Sequence, residues 1–254
     1  VDGLGSEHAA YKAANFASNR NGYFHYAMHP HSYNNGGSSG LAELSGDDLI
    51  NSLQNTRNLT MADYKFAAGT IMHELGHNLG LHHGGNESQN HKPNYNSVMN
   101  YQYQFYGVDN NCTIPGNGQP DYSHGTRPSL DENDLDESVG ICGGVQGVDW
   151  NNDGDFEDTE LATNIDGFWG GQNQWDTECS RTGLGCIVYR IAKDSLTVLT
   201  DHNDWANLVL TGILDSDELN IMAENIMREV IAEAEIDIRV FMTPTQIPTR
   251  RPGG

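Results

Sequence analysis

Residues 70–85 read TIMHELGHNLGLHHGG, placing four histidines and one glutamate among apolar and small residues. The preceding residues extend the pattern into TMADYKFAAGTIMHELGHNLG, which predicts a helix opening at a capping Thr60, with Asp63 three residues on, and closing at Gly80. His73 and His77, four apart, share one face of that helix about one turn from each other, the separation at which two imidazoles can share a metal ion. Glu74 lies beside them, near enough to reach a water on that metal without ligating it. Gly80 lets the backbone turn sharply, and the turn returns His83 as a third ligand. A catalytic zinc takes three protein ligands and keeps a fourth position open, which this set supplies. His82 adjoins His83 and competes with it as a ligand, but only His83 has the required spacing.

The five fixed residues His73, Glu74, His77, Gly80 and His83 form the long motif of the metzincin clan of zinc metalloendopeptidases, which the chain resembles. Sixteen residues past His83 the chain reads SVMNY, residues 97–101, similar to the methionine turn that lies under the metal in that clan. The resemblance makes Met99 the turn methionine. It also makes Tyr101 a residue able to reach the zinc, as in astacin-like and serralysin-like members. The stretches HHGGN, HKPNYNSVMNY, DYSHG and LDENDLDESVG are similar to secreted bacterial metzincin-like proteases, and GGSSGLAEL resembles the loop and edge strand above the cleft, so the likeness runs from about residue 36 to 141. It implies an α+β, two-lobed zincin fold. The upper lobe, residues 1–83, would hold a twisted mixed sheet and the active-site helix. The loop-rich lower lobe, residues 84–254, would hold the methionine turn, a calcium loop and a long C-terminal helix.

The activity implied is hydrolysis of peptide bonds by zinc-activated water. Glu74 would serve as general base and then acid, and Tyr101 as hydroxyl donor to the oxyanion. A protein or peptide substrate would lie extended along the edge strand, paired through its backbone.

A second cation is expected elsewhere. DWNNDGDFEDTE, residues 149–160, fits the EF-hand loop formula: Asp149, Asn151 and Asp153 alternate, Gly154 takes the sharp turn, Asp155 follows, and Glu160 is twelfth. The preceding CGGVQGV cannot form an entering helix, so the expectation is an isolated structural calcium loop, with Asp166 as an additional ligand. His25, His29 and His31 alternate along a strand end and form a weaker metal candidate; histidines flanked by aromatics in a strand commonly serve the surface or the core.

Composition bounds the remaining choices. With 35 acidic and 13 basic residues in 254, the net charge is −22, which excludes a phosphate backbone or an anionic membrane surface as a natural partner. No stretch approaches the ~20 apolar residues of a membrane-spanning helix, and no basic-then-apolar leader opens the chain at Val1, so a soluble protein in a processed or excised form is expected; with the metzincin resemblance the expectation is a secreted monomer. The four cysteines, Cys112, Cys142, Cys179 and Cys186, contain no CxxC pair, and an even count with export-like composition suggests two disulfides. Of three connectivities, the neighbours Cys112–Cys142 and Cys179–Cys186 are favoured, because the second pair closes the short loop CSRTGLGC.

Coarser reading predicts a helix over GSEHAAYKAANFASNRNG, strands at YFHYAMH, LAEL and DDLINSL, few regular elements from 84 to about 185, and a late helix over SDELNIMAENIMREVIAEAEI. The four tryptophans are expected to anchor the core of the loop-rich part rather than bind sugar. Two other readings compete: a calcium-stabilised adhesion or glycan-binding module with a non-catalytic zinc site, against which the intact Glu74 argues, and a metalloprotease restricted to glycoproteins.

Overall fold

A computed structural model describes residues 4–32, 38–52, 61–114, 116–166 and 195–210. Val1–Gly212 forms one compact unit, and Ile213–Gly254 a second that lies outside the described residues. The late helix, Cys179 with Cys186, Trp169, Trp175 and the capping Thr60 also lie outside them.

The fold is α+β. Helix α1 spans Ser6–Asn15, followed by strands β1 (Tyr26–Met28), β2 (Gly40–Ala42) and β3 (Asp48–Asn51), helix α2 (Met61–Asn78), and strands β4 (Leu130–Asp131) and β5 (Val198–Leu199). α1 is shorter than the expected helix. Its N-cap is Gly5 rather than Ser6, and it stops at Phe16, whose backbone is extended and whose ring packs against Tyr26 at 5.4 Å. The Ser and Asn residues that follow, poor helix formers, turn through a short 3₁₀ segment at Ser18–Arg20.

β3 is the middle of a mixed three-stranded sheet. It runs parallel to β1, with Ala27 opposite Leu49, and antiparallel to β2, with Leu41 opposite Ile50. β2 is therefore an edge strand among the described residues. Helix α2 packs across β2 and β3. Asn78 at its end fixes the register, its Nδ2 donating to the carbonyls of Glu43 (2.9 Å) and Asp48 (3.0 Å). His25 engages Asn78 Oδ1 through Nδ1 at 3.0 Å, and His29 engages Asn51 in the same way at 3.4 Å. Among the described residues no metal-holding group includes His25, His29 or His31.

Among the described residues from 84 to 166 and 195 to 210 the chain runs mostly without regular elements, in keeping with the Gly, Asn and Asp content from 84 to about 185. A buried cluster of Ile114, Leu130, Leu135, Ile141, Trp150, Ile165 and Leu199 forms its core, with the Cys112–Cys142 disulfide packed against it. The two described tryptophans, Trp150 and Trp205, are both buried.

Side chains replace the missing backbone ladder. The Asn94 amide donates to the carbonyls of Pro128 and Leu199, and the Asn100 amide to those of Lys92 and Tyr95. Asn96 pairs with the backbone of Asp109 in both directions. Lys92 is fully buried, and its ammonium donates to Gly84 O (2.9 Å), Thr200 O (2.9 Å) and Glu87 Oε1 (2.7 Å), spending all three N–H groups. It thereby joins the segment after His83 to Thr200, the residue directly after β5.

Replacing Lys92 by Met keeps the aliphatic stem but orphans the buried carbonyl of Gly84 and releases Thr200 O and Glu87. The variant should lose about 3 kcal/mol of stability in a denaturant titration. A loss under about 0.5 kcal/mol would mean water replaces the ammonium without cost.

Candidate metal centre

Helix α2 is buried on nearly every side over its second half, with Ile71 the exception. Two glycines allow this enclosure. A Cβ at Gly69 would overlap the carbonyl of Gln104, and one at Gly76 would overlap the side chain of Met99 and approach the ring of Tyr122. The Tyr122 hydroxyl closes the same face by donating to Met72 O at 2.6 Å.

The helix then ends as its sequence requires. Gly80 takes a positive φ of 91°. Gly80 N–H donates to His77 O at 3.0 Å and Leu81 N–H to Gly76 O at 2.9 Å, the paired bonds of a Schellman cap. Past the cap, His82 and Gly85 exchange backbone hydrogen bonds across a tight turn that carries His83 back toward the helix.

His73, His77 and His83 come together, with ligand atoms all within 4.8 Å of one another. His82, the competing neighbour, is not in the group. The protonation pattern follows from the partners. His73 Nδ1 faces Val98 O and His77 Nδ1 faces Leu81 O, each at 2.8 Å. A carbonyl only accepts, so both Nδ1 atoms carry hydrogen. Burial, reinforced at His73 by the neighbouring imidazole His77, lowers both rings' pKa, and burial takes His83 down to about 4. Neutral rings protonated at Nδ1 present bare lone pairs at Nε2, and these two Nε2 atoms lie 3.2 Å apart. Two lone pairs at that distance repel. A zinc ion ~2.05 Å from each, with tetrahedral angles, would set them about 3.3 Å apart. The donor set therefore fits a tetrahedral metal with one position left open.

Glu74 is buried and packs against the backbone of β2 at Gly40, where an added Cβ would strike its carboxyl group. Burial alone pushes its pKa up to about 8. A cation on the adjacent imidazoles would favour the carboxylate and bring that value back down. Met99 is fully buried under the helix, with its N–H held by Ser97 Oγ at 3.1 Å. Tyr101 is 43 % exposed, with its ring 4.4 Å from that of His83 and 5.4 Å from that of His73. Its backbone N–H donates to Asn90 Oδ1, and His91, at a positive φ of 60°, sets its ring 5.9 Å away.

Gly40 and the carbonyls of Val98 and Leu81 were not singled out from the sequence as site residues. Backbone carbonyls have no residue signature. Gly40 directly precedes the expected strand LAEL, and only its contact with Glu74 marks it.

The 149–160 loop is folded around its own carboxylates. Asp149 accepts the N–H groups of Asp153 (3.2 Å) and Gly154 (3.0 Å), and Gly154 has a φ of 99°. The residues brought together as a possible cation group are Asp153, Asp155 and Asp158. Asp158 was not expected there, while Asp149 and Glu160 are not in the group, and Asn151 donates its amide to Asp153 and Asp158. Asp166 lies elsewhere, bonded to Gln89 and Asn164.

Comparison of the chain with protein-family models, with curated proteins and with solved structures finds no match.

Gly76→Ala opposes two effects. Helix propensity favours Ala by about 1 kcal/mol, but displacing Met99 beneath a closed face costs roughly 1–3 kcal/mol. The expected result is a net loss of stability together with weaker retention of zinc on dialysis; a variant more stable than the parent would show that Met99 does not seal the helix.

Proposed function

We propose that this chain is a secreted zinc-dependent endopeptidase of metzincin-like, two-lobed architecture, and the convergence of the bare Nε2 atoms of His73 and His77 with His83 carries that reading. The shielded methionine under the helix, the antiparallel edge strand beside Glu74 and the buried carboxyl group of the residue directly after His73 support it.

Zinc, when bound, supplies Lewis acidity toward a water and the scissile carbonyl. The chain's own residues do the rest. Glu74 takes a proton at its carboxylate as water attacks and delivers it to the departing amine. Its contact with Gly40 keeps it at the margin of β2. β2, the edge strand among the described residues, offers backbone groups to an extended peptide, aligning the scissile bond with Glu74 without reading side chains. Tyr101, half-exposed beside His83, donates its hydroxyl to the developing oxyanion. The 149–160 loop, with Asp153, Asp155 and Asp158 grouped, is proposed as a structural calcium loop. The Cys112–Cys142 disulfide suits an oxidising, extracellular setting, and among the described residues no helix is long and apolar enough to cross a membrane.

Digestion of casein by the parent chain and by Glu74→Gln, with zinc content measured in both, tests the reading. The variant should keep about one zinc per chain, the three imidazoles being untouched, and lose activity by about 10³-fold. Zinc retained by both with digestion by neither would favour a binding module or a glycoprotein-restricted enzyme, which a mucin substrate then separates.

A further inference from the structure

The imidazole of His73 is aimed by a carbonyl that stands outside every helix and strand. Val98 O, which takes the His73 Nδ1–H, lies in the irregular segment 95–100. A second irregular segment, 121–123, reaches the same part of α2: the Tyr122 hydroxyl donates to the carbonyl of Met72, the residue before His73, and Asp121 O accepts the Val98 N–H at 2.8 Å. Irregular backbone aims a ligand reliably only when hydrogen bonds behind it lock its position.

Both segments are fastened to one buried side chain. Asp204 has no exposure, and its carboxylate accepts the Tyr95 hydroxyl at both oxygens (2.8 and 2.9 Å), the Ser123 N–H at 3.0 Å and the Ser97 hydroxyl. Its own N–H returns to Ser123 O at 2.9 Å. Ser97 passes the contact on, because its Oγ also accepts the Met99 N–H at 3.1 Å. Val98 sits between those two residues, with its N–H on Asp121 and its carbonyl on His73. Trp205, next to Asp204, donates its indole N–H to Asp121 Oδ1 at 3.2 Å. Among the described residues no lysine or arginine forms an ion pair with Asp204. Its partners are O–H and N–H donors, and a carboxylate is the one side chain of this size that accepts from all of them while presenting no hydrogen of its own.

We propose that Asp204 is a positioning residue for the three-histidine site: through Ser97, Tyr95 and Ser123 it sets where Val98 O stands, and thereby which nitrogen of His73 keeps its hydrogen and where the Nε2 lone pair points. The inference rests on reading those histidines as a metal centre and extends that reading to a residue far along the chain that touches none of them. A carboxylate serving stability alone would lower Tm on replacement and leave the His73 tautomer of the folded protein unchanged.

The test uses the full chain carrying Glu74→Gln, with isotopically labelled histidine nitrogens, stripped of metals and held at about pH 8, above the value of about 7 to which burial raises Asp204. Long-range proton–nitrogen correlation spectra report which ring nitrogen of His73 carries hydrogen, the signal being assigned by its loss in His73→Gln. The parent should show hydrogen at Nδ1. In Asp204→Asn, whose amide turns a donor toward donors, and in Ser97→Ala, which cuts the link to Met99, the two His73 nitrogens should move toward averaged shifts, and zinc affinity measured by chelator competition should fall roughly tenfold. Ile141→Ala truncates a core cluster that contains no residue of 95–100 or 121–123; it should lower Tm and change neither readout. A folded Asp204→Asn protein with the parent's His73 spectrum and zinc affinity overturns the proposal, as does an Ile141→Ala protein whose His73 signals move as far. Should Asp204→Asn fail to fold by circular dichroism, Tyr95→Phe, which removes only a hydroxyl from Asp204, is measured beside Ser97→Ala, and unchanged His73 spectra in both overturn it. A parent that binds no zinc would sink the metal-centre reading instead, and the spectra of the metal-free chain would still decide whether Asp204 sets the His73 tautomer.

Discussion

Two backbone carbonyls organise the centre of this protein. Val98 O and Leu81 O each hold an imidazole Nδ1–H, and by fixing the tautomer they turn the Nε2 lone pairs of His73 and His77 toward each other. The arrangement can persist only if helix α2, its glycine cap and the turn around Met99 stay in register. Leu81 O belongs to the residue whose N–H completes the Schellman cap, so the cap and the ligand orientation are one structural event. Val98 belongs to the segment that packs against Gly76, so the methionine beneath the helix and the orientation of His73 are likewise inseparable. The inward-facing lone pairs cost energy in the absence of a cation, and the surrounding packing is what holds them there.

Much of this was legible in the sequence because it is local. The four-residue spacing of His73 and His77, the glycine at 80 and the return of His83 are short-range relations, and the structure brings the three histidines together as expected. Strands β1 and β3 fall inside YFHYAMH and DDLINSL, and β2 overlaps the expected LAEL only at Leu41 and Ala42, starting one residue earlier at Gly40. α1 was read too long because the packing of Phe16 on Tyr26, a tertiary contact, ends it before the expected Gly22.

What the sequence hides lies mostly beyond residue 84. From 84 to about 185 the chain reads as loop, and its described residues there are mostly so, but the forces that order them come from single side chains bonding to distant backbone. Lys92 has the sequence appearance of a solvated charge and is instead a three-way staple with no exposure. Asn94, Asn96 and Asn100 have the composition of turn residues, yet their amides supply hydrogen bonds that a sheet would supply elsewhere. Such contacts have no period, so no pattern announces them. The calcium formula illustrates the same limit. It located the loop and its glycine, but the carboxylates that gather are Asp153, Asp155 and Asp158.

A chain with 35 acidic and 13 basic residues must bury carboxylates without enough internal cations to pair them. The structure shows how it does so. Arg127 meets Asp109, but the other buried acids are solvated mainly by N–H and O–H groups: Glu137 by Trp150 and Asn151, and Asp204 by the Tyr95 hydroxyl and the Ser123 amide. Backbone amides are effective partners for one carboxylate at a time, since each N–H points in one direction. They cannot offset two carboxylates facing each other. Glu132 and Asp166 are such a pair, and the amides of Ile165 and Thr197 are already spent on Glu132 alone. Asp166 accepts from Gln89 and Asn164, and burial together with the facing Glu132 carboxyl, to which it is also hydrogen-bonded, pushes its own carboxyl up to about 6.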